Sequence, residues 1–345
     1  MTYVVFLIIP FTLQRALKRI KVKPGTMDWM EFTSLREIQV LAALTTHPNV
    51  VRLHDAIYST QGHYFLVFEY APQGSVFDAM ARLRDSKAAA NKPLFPDSQI
   101  KSILHDTLEG LQHIHAHGYF HRDIKPANLL LFQNTCKIAD FTLARPTLAR
   151  SSSRRNANDT SDVASRLTTY VSTRWYRAPE LLLQSPTYST PVDVYAVGCV
   201  AAELYDAAGQ PLFAGNSEVD QLFQIFCALG VPSVDSWAEG VRLMQRLNMN
   251  MDPMDESLLS RLPSYLKENT LDWMRHMLAL CPEERPSAAH ALRHPFFTDN
   301  QSGIEILPLI SPQSSTPSTT SLSPQPAAPA ERTNRVVRNP YKKTC

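Results

Sequence analysis

Glycine is missing from the first 24 residues of this 345-residue chain, and only 11 occur in all. A backbone that must fold closely over a ligand relies on residues without a Cβ, so no such loop can be drawn from that stretch. Cysteine is also sparse. The five thiols, Cys136, Cys199, Cys227, Cys281 and Cys345, are odd in number, widely scattered and never spaced as CxxC. That pattern excludes a disulfide framework or a cysteine-rich zinc module and reads as reduced thiols in a cytoplasmic protein. The terminal Cys345 does not fit a prenylation motif. Charge of either sign is nearly balanced, with a formal net charge of +2. No nucleic-acid partner and no membrane partner is implied by charge. Long apolar runs are lacking as well. The start, YVVFLIIPF from Tyr3 to Phe11, ends at a proline and is too short to span a bilayer. It has no basic leader and no small-residue cleavage site, so it reads as a buried strand rather than a signal peptide.

An apolar fraction of 44% is enough for a globular core, and the length allows one large or two modest domains. Residues 28–44 read as an amphipathic helix with Leu35, Ile38, Leu41 and Ala42 on one face. Strand-like alternation follows in Val50–Asp55 and His63–Tyr70. Residues 85–96 read as a loop, and residues 97–117 as a helix with Ile100, Ile103, Leu104, Leu111 and Ile114 as its buried stripe. His113 and His117 are i,i+4 neighbours at its end, but no acidic or thiol ligands cluster beside them, so they read as helix-terminal residues rather than zinc ligands.

The chemistry-bearing stretch is His121–Leu131, HRDIKPANLLL. An Asp, a Lys two residues on and an Asn five residues on are the parts a phosphoryl-transfer site needs: a group to take the hydroxyl proton, a cation to offset developing charge, and an amide oxygen for a metal. A second acidic centre, Asp140, follows in KIADFTLAR, and Ala178-Pro179-Glu180 comes later. These words, in this order, resemble the catalytic loop, the metal-binding DFG segment and the APE segment of eukaryotic protein kinases. STRWYRAPE, TPVDVYAVGCVAAELY, PLFAGNSEVDQLFQIFCALGVPS and the Trp237–Gly240 stretch place the resemblance in the cyclin-dependent and mitogen-activated kinase group, nearest the male germ cell-associated and intestinal-cell kinase branch. It runs from about residue 15 to residue 297.

The resemblance implies an α+β fold in two lobes. The expected boundaries are a β-rich N-lobe over residues 1–71, a mostly helical C-lobe over 72–297, and a disordered Ser/Pro-rich tail over 298–345. The implied cofactors are ATP and Mg2+. Asp123, Lys125 and Asn128 take the catalytic positions, and Asn128 and Asp140 the metal positions. Ala16, Lys18, Glu37, Phe68, Glu69, Ala71, Leu130 and Asp140 fall where the family binds ATP, with Lys18 and Glu37 as an ion pair, Phe68 as gatekeeper, and the Glu69 and Ala71 backbone against adenine. Arg36, Arg122 and Arg145 are the positions that gather a phosphate on the activation segment, here on Thr168, with Tyr170 as a second phosphorylation site. Thr173 is expected to bond Asp123 and Lys125. Arg177 accompanies a preference for protein substrates in which proline follows the target Ser or Thr, and an upstream activating kinase is implied. Asp193 is expected to anchor the catalytic loop, Glu180 and Arg285 to pair, and Leu41, Leu53, His121 and Phe141 to stack between the lobes.

Two departures from the family stand out. The glycine-rich loop has no counterpart, so either a first segment is missing or mispredicted, or the protein works without that roof. Thr142 replaces the DFG glycine, and β-branched threonine should restrict flipping of Phe141 rather than abolish catalysis. A catalytically impaired kinase-like interaction or scaffold protein is therefore the alternative. The tail carries Ser311, Thr316 and Ser323 before prolines, and its basic end reads as a nuclear address or a solubilising tail. The branch resemblance adds cilia or flagella as a location.

Overall fold

The computed structural model describes residues 3–4, 14–20, 32–59, 63–86, 92–147, 174–254 and 257–298. The fold is α+β in two lobes, with a four-stranded sheet in the N-terminal part and helices beyond it. Strands β1 (Tyr3–Val4), β2 (Arg15–Ile20), β3 (Leu53–Tyr58) and β4 (Tyr64–Glu69) form an antiparallel sheet in the order β1-β2-β4-β3. The register sets Ala16 opposite Phe68 and Lys18 opposite Leu66. Side chains alternate along a strand, so Lys18 and Ile20 share one face of β2, and both are buried. Of the apolar start only β1 is described; the Thr168 and Tyr170 positions, Thr173 and the tail lie outside the described residues.

Helix α1 (Phe32–Ala43) lies between β2 and β3 in the chain. Its inward stripe differs from the one periodicity suggested. Glu37, Val40 and Leu44 are buried and Ala42 is exposed, while Ile38 and Leu41 are half-buried against the core. The i, i+3, i+7 spacing of the buried three is helical, but a charged residue takes part, and a hydrophobicity pattern cannot register that. The third strand also begins later than the alternation implied, at Leu53. Val50 instead pairs with Ile138 in an isolated bridge.

Helices α2 (Val76–Ser86) and α3 (Asp97–Ala116) open the helical part. Helix α2 extends into residues the sequence read as loop. The apolar stripe of α3 is buried as its spacing indicated, with Ile100, Ile103, Leu104, Leu111 and Ile114 among its buried residues. Helix α4 (Pro191–Tyr205) is enclosed from Val192 to Tyr205, as expected for a helix apolar on nearly every side. Helices α5 (Glu218–Leu229), α6 (Val234–Arg246) and α7 (Glu268–Met277) follow, with shorter helical turns among and after them. Four short strands sit near the junction. β5 (Tyr119–Phe120) pairs with β8 (Arg145–Pro146), and β6 (Leu129–Leu131) with β7 (Cys136–Ile138).

The loop after α1 joins the two parts. Val51 N–H donates to the Ile138 carbonyl and Ile138 N–H to the Asn49 carbonyl, each at 2.9 Å, and Asn49 Nδ2 donates to the Cys136 carbonyl at 3.1 Å. Gly110 on α3 accommodates this close approach, since a Cβ there would fall 2.7 Å from the Asn49 carbonyl oxygen. The histidines at the end of α3 pack here too. The His47 and His113 rings stack at 4.5 Å and the His113 and His117 rings lie 4.2 Å apart, so both α3 histidines serve the junction.

Candidate active site

The site forms where β2, α1 and the turns around β6 and β7 meet. Lys18 Nζ donates to Glu37 Oε1 at 2.9 Å, to Glu37 Oε2 at 2.7 Å and to Asp140 Oδ1 at 3.0 Å. Burial by itself would lower the Lys18 pKa, but the nearby Asp140 and Glu37 carboxylates outweigh it and hold the ammonium above the ordinary lysine value. Burial likewise favours a neutral Glu37 carboxyl. Two short bonds from one ammonium to both of its oxygens nevertheless identify it as an ionised partner. The expected Lys18–Glu37 ion pair is thus present, and Asp140 shares the same lysine.

The HRDIKPAN stretch is held by one carboxylate. Asp193, near the start of α4 and fully buried, accepts from His121 N–H at 2.8 Å (Oδ2) and from Arg122 N–H at 2.7 Å (Oδ1). His115 Nε2 donates to Asp193 Oδ2 at 2.9 Å. Burial opposes the Asp193 charge, but these contacts prevail and keep its pKa low. Arg122 has φ 72°, a left-handed backbone that costs a non-glycine residue energy. The two amide bonds to Asp193 maintain it. His121 is fully buried, and burial keeps its ring neutral. Its Nε2–H donates to the Ala139 carbonyl at 3.1 Å and its Nδ1 accepts from Asp123 N–H at 3.3 Å, so both ring nitrogens fix the turn.

Within the turn, Lys125 Nζ donates to Asp123 Oδ2 at 2.7 Å. Asn128 Nδ2 donates to the Asp123 carbonyl at 2.7 Å and to Asp123 Oδ2 at 2.9 Å. Committing the amide nitrogen to Asp123 directs the Asn128 oxygen elsewhere. That oxygen and the Asp140 carboxylate are hard donors of the kind that hold a small divalent cation, so the donor set fits magnesium. Asp140 has φ 67°, and Thr142 Oγ1 donates to its Oδ1 at 2.9 Å. Phe141 is buried edge-to-face on His121, with ring centroids 4.9 Å apart, and Leu41 and Leu53 pack half-buried against the same core.

Ala16 and Leu130 are half-buried and Phe68 is buried. Glu69 and Ala71 lie where β4 leaves the sheet. Arg36 is on α1, Arg122 in the catalytic turn and Arg145 on β8. Arg122 Nη1 donates to the Leu143 carbonyl at 3.3 Å, and its guanidinium lies 5.2 Å over the Tyr188 ring. A small cavity beside Asp123 is lined by Arg122, Tyr176, Arg177 and Leu181 among others.

Three contacts escaped the sequence reading. Lys137 Nζ donates to both oxygens of Glu69, at 2.9 and 2.8 Å, and Glu69 Oε1 also accepts from Arg52 N–H at 2.8 Å. The Glu69 side chain thereby ties β4 to β7. The second is the Thr142 hydroxyl bond. The third is Tyr176 Oη–H, which donates to Glu203 Oε2 at 2.6 Å inside α4. The Glu69 and Tyr176 contacts join residues whose types alone are unremarkable, so no local pattern marks them; Thr142 stood out as a replaced glycine, but nothing in the sequence marked its hydroxyl bond.

Burial pushes the Glu203 carboxyl up to about 7, against the Tyr176 bond, which lowers it. A folded-state value raised above the unfolded one contributes stability at low pH that is lost as pH rises through the folded value. Glu203→Gln keeps an acceptor for Tyr176 and removes the titration. Between pH 5 and 8 the wild type should therefore lose up to about 3 kcal/mol of stability relative to the variant. Urea unfolding of both proteins across that range checks this, and parallel pH profiles would refute it.

The comparisons with known proteins follow the same lines. Residues 12–297 match the family model described as Protein kinase domain. The chain is 40% identical over 287 residues to serine/threonine-protein kinase MAK of Mus musculus, covering 83% of this chain and 42% of that protein. It is 39% identical over 278 residues to serine/threonine-protein kinase ICK of Rattus norvegicus, covering 80% and 40%. It is 38% identical over 280 residues to cyclin-dependent kinase F-3 of Oryza sativa subsp. japonica, covering 80% and 58%. The chain thus spans about half the length of the curated relatives it matches.

Proposed function

Because the chain belongs to the protein kinase family, on the MAK and ICK branch, we propose that it is a serine/threonine protein kinase that transfers the γ-phosphoryl group of ATP to Ser or Thr followed by Pro. The observation that carries this reading is the position of Lys18. Its ammonium touches Glu37 from one element and Asp140, 122 residues away in sequence, at 2.7 and 3.0 Å. A buried cation held between two carboxylates costs desolvation, and an interaction partner gains nothing from it. A site that must receive a polyphosphate does.

In this reading Lys18 grips the phosphates and Glu37 fixes its direction. The Glu69 carbonyl and the Ala71 N–H meet the adenine edge, since Glu69 N–H is used by the Arg52 carbonyl and the Ala71 carbonyl by Gly74 N–H. Phe68 closes the back of the pocket, and Ala16 and Leu130 sandwich the base. Asn128 and Asp140 would hold magnesium, which would offset the charge of the phosphates when bound. Asp123 orients the substrate hydroxyl and takes its proton, while Lys125, bonded to Asp123, lies ready to balance charge on the transferred group. Arg177 shapes the place for the residue after the target.

Regulation in this reading rests on Thr168 and Tyr170. A phosphate carries nearly two charges and several acceptors, and Arg36, Arg122 and Arg145 supply planar donors to match. An upstream kinase modifies Thr168. Nothing among the described residues is long and apolar enough in helical form to cross a membrane, and the cytoplasm, nucleus and cilium remain the proposed locations.

The test uses the whole 345-residue chain with Mg2+ and ATP. A Ser-Pro peptide should be phosphorylated with kcat/KM at least about tenfold above its Ser-Ala counterpart, about 1.4 kcal/mol of discrimination. Equal rates would remove the proline preference. Nucleotide binding without transfer to any peptide would instead support the scaffold reading.

A further inference from the structure

Thr142 stands where the family has glycine, and its side chain is engaged with the site. Its hydroxyl donates to Asp140 Oδ1 at 2.9 Å, the oxygen that also takes Lys18 Nζ at 3.0 Å. Thr142 is 4% exposed, so little water competes for the bond. β-branching confines χ1 and holds the hydroxyl in direction. The bond spans a turn that has little room to reorient. Asp140 is left-handed (φ 67°, ψ 72°), residues 141–143 form a 3₁₀ turn, and Phe141 is fully buried against His121.

A carboxylate with one oxygen held by two donors cannot turn about its Cβ–Cγ bond without losing both. Lys18 provides a donor from β2, but the same ammonium also serves both Glu37 oxygens and sits on a flexible four-carbon stem. Thr142 provides a donor from the same turn as Asp140, tied to its backbone two residues away. Glycine at this position offers no side-chain donor. Building on the kinase reading above, we infer that Thr142 is a positioning residue: it trades the conformational freedom of glycine for a fixed hydrogen bond that sets the Asp140 carboxylate for a divalent cation. The threonine then favours one arrangement of the metal site and strengthens metal binding at the nucleotide.

The experiment measures Mn2+ binding by electron paramagnetic resonance of the free ion, with saturating ATP, on the whole chain and on Thr142→Val, Thr142→Ser and Thr142→Ala. Valine matches threonine in shape and removes the donor, whereas serine keeps the donor and loses the methyl. Loss of a hydrogen bond to a charged group should weaken Mn2+ binding by about ten- to a hundredfold in the Val and Ala variants. Serine should restore wild-type binding. ATP affinity measured in EDTA should stay the same throughout, because the bond acts on the metal ligand rather than on the base or Lys18. Thermal melting establishes that each variant is folded. A valine variant that binds Mn2+ like the wild type, or a serine variant as weak as valine, overturns the inference and leaves the kinase reading intact. A wild type that binds neither ATP nor Mn2+ with ATP overturns both.

Discussion

Replacing Asp123 by Asn should lower the turnover of peptide phosphorylation by about 10²–10⁴-fold, the range for loss of a positioned proton acceptor, and leave Mg2+–ATP binding nearly unchanged. The substitution keeps the shape of the side chain. Asn128 can still donate to the residue's own carbonyl at 2.7 Å, and His121 Nδ1 can still take its backbone N–H, so the turn should persist. What is lost is the charge and one of two acceptor oxygens: the oxygen that remains can serve Lys125 and Asn128, now at 2.7 and 2.9 Å, or the substrate hydroxyl, but not both. An amide is a poor proton acceptor and presents hydrogens where the substrate hydroxyl must approach. The transition state of phosphoryl transfer is loose, so alignment should account for much of the loss. Steady-state kinetics on a Ser-Pro peptide, with nucleotide affinity measured in parallel, separates the two effects. Unchanged turnover would remove Asp123 from the mechanism.

The second large effect is on folding. Arg285→Ala should destabilise the protein by about 3–5 kcal/mol, the usual cost of stranding one partner of a buried ion pair. Arg285 Nη1 and Nη2 reach Glu180 Oε1 and Oε2 at 2.7 and 2.9 Å. The same guanidinium donates to the carbonyls of Ala279, Pro191 and Leu280 at 2.8, 3.1 and 3.0 Å and lies 4.9 Å over the Tyr195 ring. Removing it leaves the buried Glu180 carboxylate without its partner and takes one donor from each of three carbonyls. The melting temperature should fall by roughly 10 °C, given a few degrees per kcal/mol for a domain of this size. Arg285→Lys should rescue little, because an ammonium cannot match the two-pronged geometry. The double variant Glu180→Leu with Arg285→Met should recover part of the loss, since it strands no charge but still lacks the donors to the three carbonyls. A single Arg285→Ala variant that melts with the wild type would refute this account.

Much of the site could be read before any coordinates because its parts are contiguous words. HRDIKPAN carries Asp123, Lys125 and Asn128 within one turn. The pairings of Lys18 with Glu37 and of Glu180 with Arg285 came from family resemblance, since nothing in periodicity brings residue 18 to residue 37. The stripe of α3 was legible because burial there depends on spacing alone. The buried face of α1 was misjudged because Glu37, a charge, occupies it, and a hydrophobic pattern looks past charges. The partnerships of Glu69 with Lys137 and of Tyr176 with Glu203 were invisible for another reason. They depend on which strand ends and helix faces meet in space, and the residue types are common on any surface. Thr142 was read as a departure, but from its backbone. The consequence that matters sits on its hydroxyl, and a sequence does not say where a hydroxyl points.

The grip of Asp193 on the catalytic turn also bears on timing. The left-handed backbone at Arg122 is not a shape the turn would keep by itself. It borrows that shape from the first coil of α4, which is sealed in the middle of the helical part. The His121 and Arg122 amides should therefore exchange with solvent only when the core around α4 comes apart. In the proposed function, nucleotide and substrate would meet a floor that is already set.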